Sequence, residues 1–159
     1  MKQSINEFNN YIHYGSNCFQ KERFRPIRNC ERAWVKPTPE SGLWASPTWT
    51  SYGWKDYCSD NLFLQDRLND FFIFSLKEDS KILLIRDNID LERLSKRNLL
   101  LQSDDDFFNR DLYLIDFEKC LQIGYDAIEV YINSMEIYNG LYGWDCDSIL
   151  ILNPDCIDI

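Results

Sequence analysis

Three observations in the sequence predict an α+β fold. Short strand-like apolar runs outnumber helical ones, and the two kinds are intermingled along the chain. No internal repeat and no Gly/Ser/Pro-rich linker divides its 159 residues. That length is typical of one domain and long enough to bury a core, so residues 1–159 are read as a single domain.

Tyr11 to Tyr14 reads as the first strand, stopped by Gly15-Ser16. Residues 17–41 read as irregular and carry Pro26, Pro37 and Pro39. Gly42 to Pro47 is a second short strand, closed by its proline. Thr50 or Ser51 can cap a helix that runs through Trp54 and Tyr57 towards Asp60. Phe71 to Leu76 and Lys81 to Ile85 have the form of a hairpin about the polar turn Lys77-Glu78-Asp79-Ser80. Asn88 to Ser95 has helical spacing, with Ile89, Leu91 and Leu94 apolar. The run Ser103 to Asp106 reads as a solvated loop or as a helix start capped by Ser103. Leu114 to Ile123 follows as an amphipathic helix ended by Gly124, and Ala127 to Tyr131 as a strand. The chain then loops through Gly140 and Gly143 to its last strand, Ser148 to Leu152.

Charge narrows the functional classes. A net charge of -9 argues against broad binding to nucleic acid or to an anionic membrane, since neutralising phosphates needs a basic surface. One basic stretch, Lys21, Arg23, Arg25, Arg28, Arg32 and Lys36, stands out from the acidic remainder. The six cysteines form no Cys-x-x-Cys pair, and His13 is the only histidine, so the usual zinc spacing is missing. Neither a signal-peptide apolar region nor a membrane-length run occurs, and reduced thiols fit the cytoplasm. Gly-rich phosphate loops and a Gly-x-Ser-x-Gly elbow are also missing.

The most informative segment is Asp145-Cys146-Asp147, which runs into the apolar strand Ser148 to Leu152 and ends at Asn153-Pro154. Extended side chains at i and i+2 share a face, so Asp145 and Asp147 can address one cleft. Two carboxylates held close are unfavourable unless a cationic or hydroxyl-bearing ligand uses them. Two further segments stand out with it: Tyr11-Ile12-His13-Tyr14-Gly15-Ser16 and Gly42-Leu43-Trp44-Ala45-Ser46. In this order and spacing the three resemble the ADP-ribosyltransferase superfamily, over most of the chain from Tyr11 to Ile157.

The resemblance implies a split mixed or antiparallel sheet with peripheral helices, and NAD as the substrate. It implies that Tyr14 or His13 grips the adenosine half, while Gly15 and Ser16 take the nicotinamide amide. The family places His or Arg directly before its glycine; here Tyr14 holds that place and His13 lies one earlier. Only one of the two can face the cleft, because strand side chains alternate. Trp44 stands at an aromatic position of the second motif, and Tyr52 or Tyr57 resembles the tyrosine that stacks on nicotinamide. Asp147 would stabilise the oxocarbenium-like centre, with Asp145 addressing the acceptor. The family usually has glutamate here. Aspartate is one methylene shorter and sets the carboxylate back by about 1.5 Å, a misplacement that can cost about a hundredfold unless the backbone moves closer.

The function expected from this resemblance is mono-ADP-ribosylation of a macromolecular acceptor, protein or nucleic acid, in the manner of a small bacterial or phage toxin or effector. An antitoxin or inhibitor is a partner such a role implies. Two alternatives stand beside it: NAD hydrolysis without a macromolecular acceptor, and a non-catalytic acidic protein that binds a basic partner.

Overall fold

A computed structural model describes residues 9–29, 41–101, 112–141 and 143–159. Arg32, Lys36, Pro37, Pro39 and the run 103–106 lie outside the described residues. The described strands are β1 (Asn10–Tyr14), β2 (Leu43–Pro47), β3 (Phe71–Leu76), β4 (Ile82–Ile85), β5 (Ala127–Val130), β6 (Ser148–Ile151) and β7 (Ile157–Asp158). The described helices are α1 (Trp54–Asp60), α2 (Asn88–Lys96), α3 (Phe117–Gln122) and α4 (Met135–Gly140). The class is α+β. No described helix is long and apolar enough to cross a membrane.

All seven strands join one mixed sheet in the order β4-β5-β6-β2-β1-β3-β7. β4 and β5 are parallel, and every other pair is antiparallel. The sheet curls. β3 and β4 are five strand positions apart, about 24 Å if the sheet were flat. Yet only Lys77 to Lys81 connects them, which spans at most about 20 Å when extended. It is not extended, because the Ser80 amide donates to the Lys77 carbonyl at 3.0 Å. Side-chain alternation splits the core between the two faces of this curl. Ile128, Val130, Leu150 and Leu152 pack with Leu91, Leu94 and Ile137 from the helices. Tyr11, Phe72, Phe74, Ile149 and Ile151 fill the other face.

Several sequence expectations are corrected here. Residues 71–85 form no hairpin: β3 pairs with β1 and β7, whereas β4 pairs in parallel with β5. The helix expected over Leu114 to Ile123 begins only at Phe117, because Asp116 caps it by accepting from the Lys119 amide, while Ile115 bridges to Leu100. The expected loop through Gly140 contains α4, whose first turn Ser134 caps by accepting from the Ile137 amide. Neither Thr50 nor Ser51 caps α1. Gly53 holds the N-cap position, the Trp54 amide donates to Ser46 Oγ at 2.8 Å, and the Gly53 amide donates to Asp56 Oδ2 at 2.9 Å. Finally, β6 is followed by β7, so it is not the last strand.

Candidate functional site

The three segments singled out in the sequence end on neighbouring strands, β1, β2 and β6. β2 is paired with β6 from Leu43↔Ile151 to Ala45↔Ile149, and β1 with β3 along its whole length. Between β1 and β2 the ladder has only two pairs, Tyr11↔Pro47 and Ile12↔Ser46. Continuing that register would set Tyr14 opposite Trp44, but the strands part there. A side chain holds the seam instead: His13 Nδ1–H donates to the Trp44 carbonyl at 2.7 Å.

Alternation decides which of His13 and Tyr14 faces which way. Ile12 opposes Ser46, so Tyr14, Trp44 and Ser46 share one face. α1 lies on that side, anchored through Trp54 to Ser46. Burial, and then the charge of Asp56 on α1, raise the Tyr14 phenol above its usual value. Trp44 is half-buried and meets Trp144 edge-on at 4.7 Å. Tyr57 on α1 stacks on Trp54, with ring centroids 5.5 Å apart, and its phenol is raised by burial and by the charge of Asp145. His13 lies on the opposite face with Tyr11 and packs on Phe72, ring to ring at 5.1 Å. Burial lowers its basicity, and the carbonyl it binds partly restores it.

Gly15 ends β1 with φ +111°, a conformation that L side chains rarely adopt, and its amide donates to the Asp70 carbonyl at 2.8 Å. A Cβ placed there would meet no heavy atom within 4 Å, so the space beside it is open. Ser16 is exposed and bonds locally to the Cys18 carbonyl. Tyr52 is exposed, and its hydroxyl donates to Asp60 Oδ2 at 3.0 Å. Partial desolvation, and then the hydrogen bond to this carboxylate, push its phenol up to about 12.

Asp145 and Asp147 precede β6 in a bend rather than lying in the strand itself. Asp147 is held on three sides. Its amide donates to the Tyr52 carbonyl at 3.1 Å, its Oδ1 accepts from the Ile132 amide at 2.7 Å, and its Oδ2 accepts from the Thr50 hydroxyl. It therefore sits where the chain crosses from the end of β2 to α1, with its carboxylate fixed in direction. Asp145, half-buried, is the acid whose charge reaches Tyr57.

Sequence reasoning passed over Glu129. It is 5% exposed in β5, a strand whose four residues are all buried. Tyr11 donates to its Oε2 at 3.1 Å, and Tyr131 donates to its Oε1 at 2.6 Å. Burial raises the Glu129 carboxyl above the usual range; the two hydroxyls oppose that shift and the nearby Asp147 charge adds to it. The available signal was a lone acid inside the apolar run Ala127-Ile128-Glu129-Val130. Burial pushes the thiols of Cys120 and Cys156 up to about 12, leaving them poor nucleophiles.

A recess of about 80 Å³ lies elsewhere, lined by residues of β4 and α2 together with Arg97 and Tyr125. Three strands separate β4 from β1, and the recess is far smaller than the several hundred Å³ usual for an organic ligand. At the seam, open space lies beside Gly15. No protein-family model, curated protein or solved structure matches this chain.

Proposed function

We propose that the chain is a mono-ADP-ribosyltransferase that splits NAD at the β1–β2 seam on the α1 side. One observation carries this reading. Segments far apart in sequence, ending at Gly15, opening at Leu43 and opening at Ser148, fall on three adjoining strands, of which β1 and β2 part before their register would set Tyr14 opposite Trp44.

In this reading Tyr14 contacts the adenosine half, and Gly15 gives the close backbone approach that a planar amide needs. Trp44 and Tyr57 frame the nicotinamide, whose pyridinium charge suits an aromatic face by about 0.5–2 kcal/mol. Tyr52 lies at the exposed rim. His13 holds the seam rather than the ligand. The C1′–N bond breaks with its electron pair leaving on nicotinamide, and the ribosyl carbon becomes cationic. Asp147 supplies a negative charge whose direction Thr50 and Ile132 fix before the reaction, which is the condition for electrostatic stabilisation without reorganisation. Asp145, beside Tyr57, addresses the incoming acceptor, which bonds to the cationic carbon and gives up a proton.

Incubation with NAD labelled in the nicotinamide ring tests this. Release of labelled nicotinamide by the wild type and its loss in Asp147→Asn support the proposal. Intact NAD after prolonged incubation with the folded wild type refutes it. If nicotinamide is released but no macromolecule gains ADP-ribose, the activity is NAD hydrolysis.

A further inference from the structure

Beside the seam lies an apolar surface that the proposed chemistry does not use. Leu62 is 83% exposed, and Phe63, Phe71 and Ile73 are each close to half exposed. Exposed apolar side chains grouped in this way mark interaction surfaces. Phe71 and Ile73 lie on the β3 face that carries Tyr14 and Ile12, their register partners on β1. Ring contacts join the group to the seam. Phe63 meets Trp54 edge-on at 6.1 Å, and Phe71 lies 6.0 Å from Tyr14.

The backbone holds this surface outward at a cost. Leu62 and Leu64 both have left-handed conformations, with φ 51° and 46°. Leucine rarely adopts them, and glycine or asparagine would sit there without strain. The Phe63 amide between them is fixed to the Cys58 carbonyl at 2.9 Å. The left-handed turn at Leu62 ends α1, with that amide reaching back to Cys58, and it leaves the Leu62 and Phe63 side chains exposed.

Charge selects the occupant. Across Lys55 to Asp70 four exposed aspartates, Asp56, Asp60, Asp66 and Asp70, face two cations, Lys55 and Arg67. Nucleic acid would meet repulsion here, and a second copy would set the same acids against each other. We infer that this surface docks the acceptor, and that the acceptor is a protein segment presenting apolar side chains among lysines or arginines. The inference rests on the ADP-ribosyl transfer reading for its purpose, but its physical test does not.

The probe is a fluorescent peptide of alternating Leu and Lys, compared with its Leu/Glu counterpart and a single-stranded oligonucleotide, by anisotropy on the full chain. The Leu/Lys peptide is expected to bind best and more weakly as salt rises. Leu62→Lys/Ile73→Lys should weaken it at least tenfold. Leu62→Gly removes the strain along with the side chain, so it should keep or raise the thermal midpoint while still weakening the peptide. Unchanged binding in both variants overturns the inference, as does equal or tighter binding of the oligonucleotide or the Leu/Glu peptide. So does a wild-type dimer that light scattering finds monomeric in the double variant. Nicotinamide release measured on the same samples should not change. A wild type that releases none removes the catalytic reading, while the peptide series still judges the docking surface.

Discussion

The Tyr11 hydroxyl on β1 donates to Glu129 Oε2 on β5 at 3.1 Å, although β2 and β6 lie between their strands. In a flat sheet those strands would stand about 14 Å apart, too far for the two side chains to meet. The bond therefore measures the curl of the sheet, and it joins the two halves that part at the β1–β2 seam. Tyr131 donates to the other oxygen of the same carboxylate at 2.6 Å.

Substituting Glu129 should reveal its cost as a function of pH. Its folded pKa is raised, chiefly by burial. A raised carboxyl stabilises the fold fully below the unfolded value and loses that contribution as pH rises through the folded one. Glutamine carries no charge to bury. The thermal midpoint of Glu129→Gln relative to wild type should therefore climb as pH rises from about 4 to about 7. A difference that stays flat with pH would show that Glu129 does not titrate above the ordinary range.

The support of Asp147 is separable from its charge. Thr50→Val removes one donor and keeps the shape, so nicotinamide release should fall about 10–100-fold, the cost typical of losing an orienting partner. Thr50→Ser restores the hydroxyl and should recover most of it. Equal rates in Thr50→Val and wild type would deny Asp147 a role that depends on orientation.

Gly15→Ala isolates backbone strain. Nothing lies within 4 Å of the added methyl, so only φ +111° opposes it. A loss of about 1–3 kcal/mol in denaturant unfolding is expected. No loss would mean that the β1 turn relaxes freely and that glycine there serves some other need.

His13 and Tyr57 should divide between stability and binding. His13→Phe breaks the bond to Trp44 across the seam and should cost about 1–3 kcal/mol of stability, the penalty for an orphaned half-buried carbonyl included. It should also blunt the acid sensitivity of the wild type. A histidine whose pKa burial has lowered contributes stability above its unfolded value, and that is lost as pH falls through the folded one. Tyr57→Ala, by contrast, should weaken NAD measured by calorimetry about tenfold or more with little change in the melting midpoint. The reverse pattern would place the ligand on the His13 face.

Much of the fold was legible in the sequence, because β1 and β2 carry their own stop signals in Gly15 and Pro47, and α2 shows its helical spacing in Leu91 and Leu94. The hairpin over 71–85 misled for a physical reason. A polar turn between two apolar runs is a local signal, whereas the parallel pairing of β4 with β5 is set by a segment some forty residues later. Helix α4 spans only Met135–Gly140, too short to show a helical period beside its glycine. The spacing of Asp145 and Asp147 suggested one shared face, but both precede β6 rather than lying in it, and they have different neighbours, Tyr57 for one and Thr50 for the other. Glu129 escaped notice because an acid inside a strand reads as its solvated face. Only the curl, invisible locally, turns that face inward.

A crystal structure with a non-hydrolysable NAD analogue tests the central claim most directly. The nicotinamide ring is predicted to lie against Tyr57 and Trp44, with its ribose towards Asp147 and its amide beside Gly15. An analogue lodged in the Arg93–Arg97 recess, or on the His13 face, or absent at millimolar concentration, would contradict it.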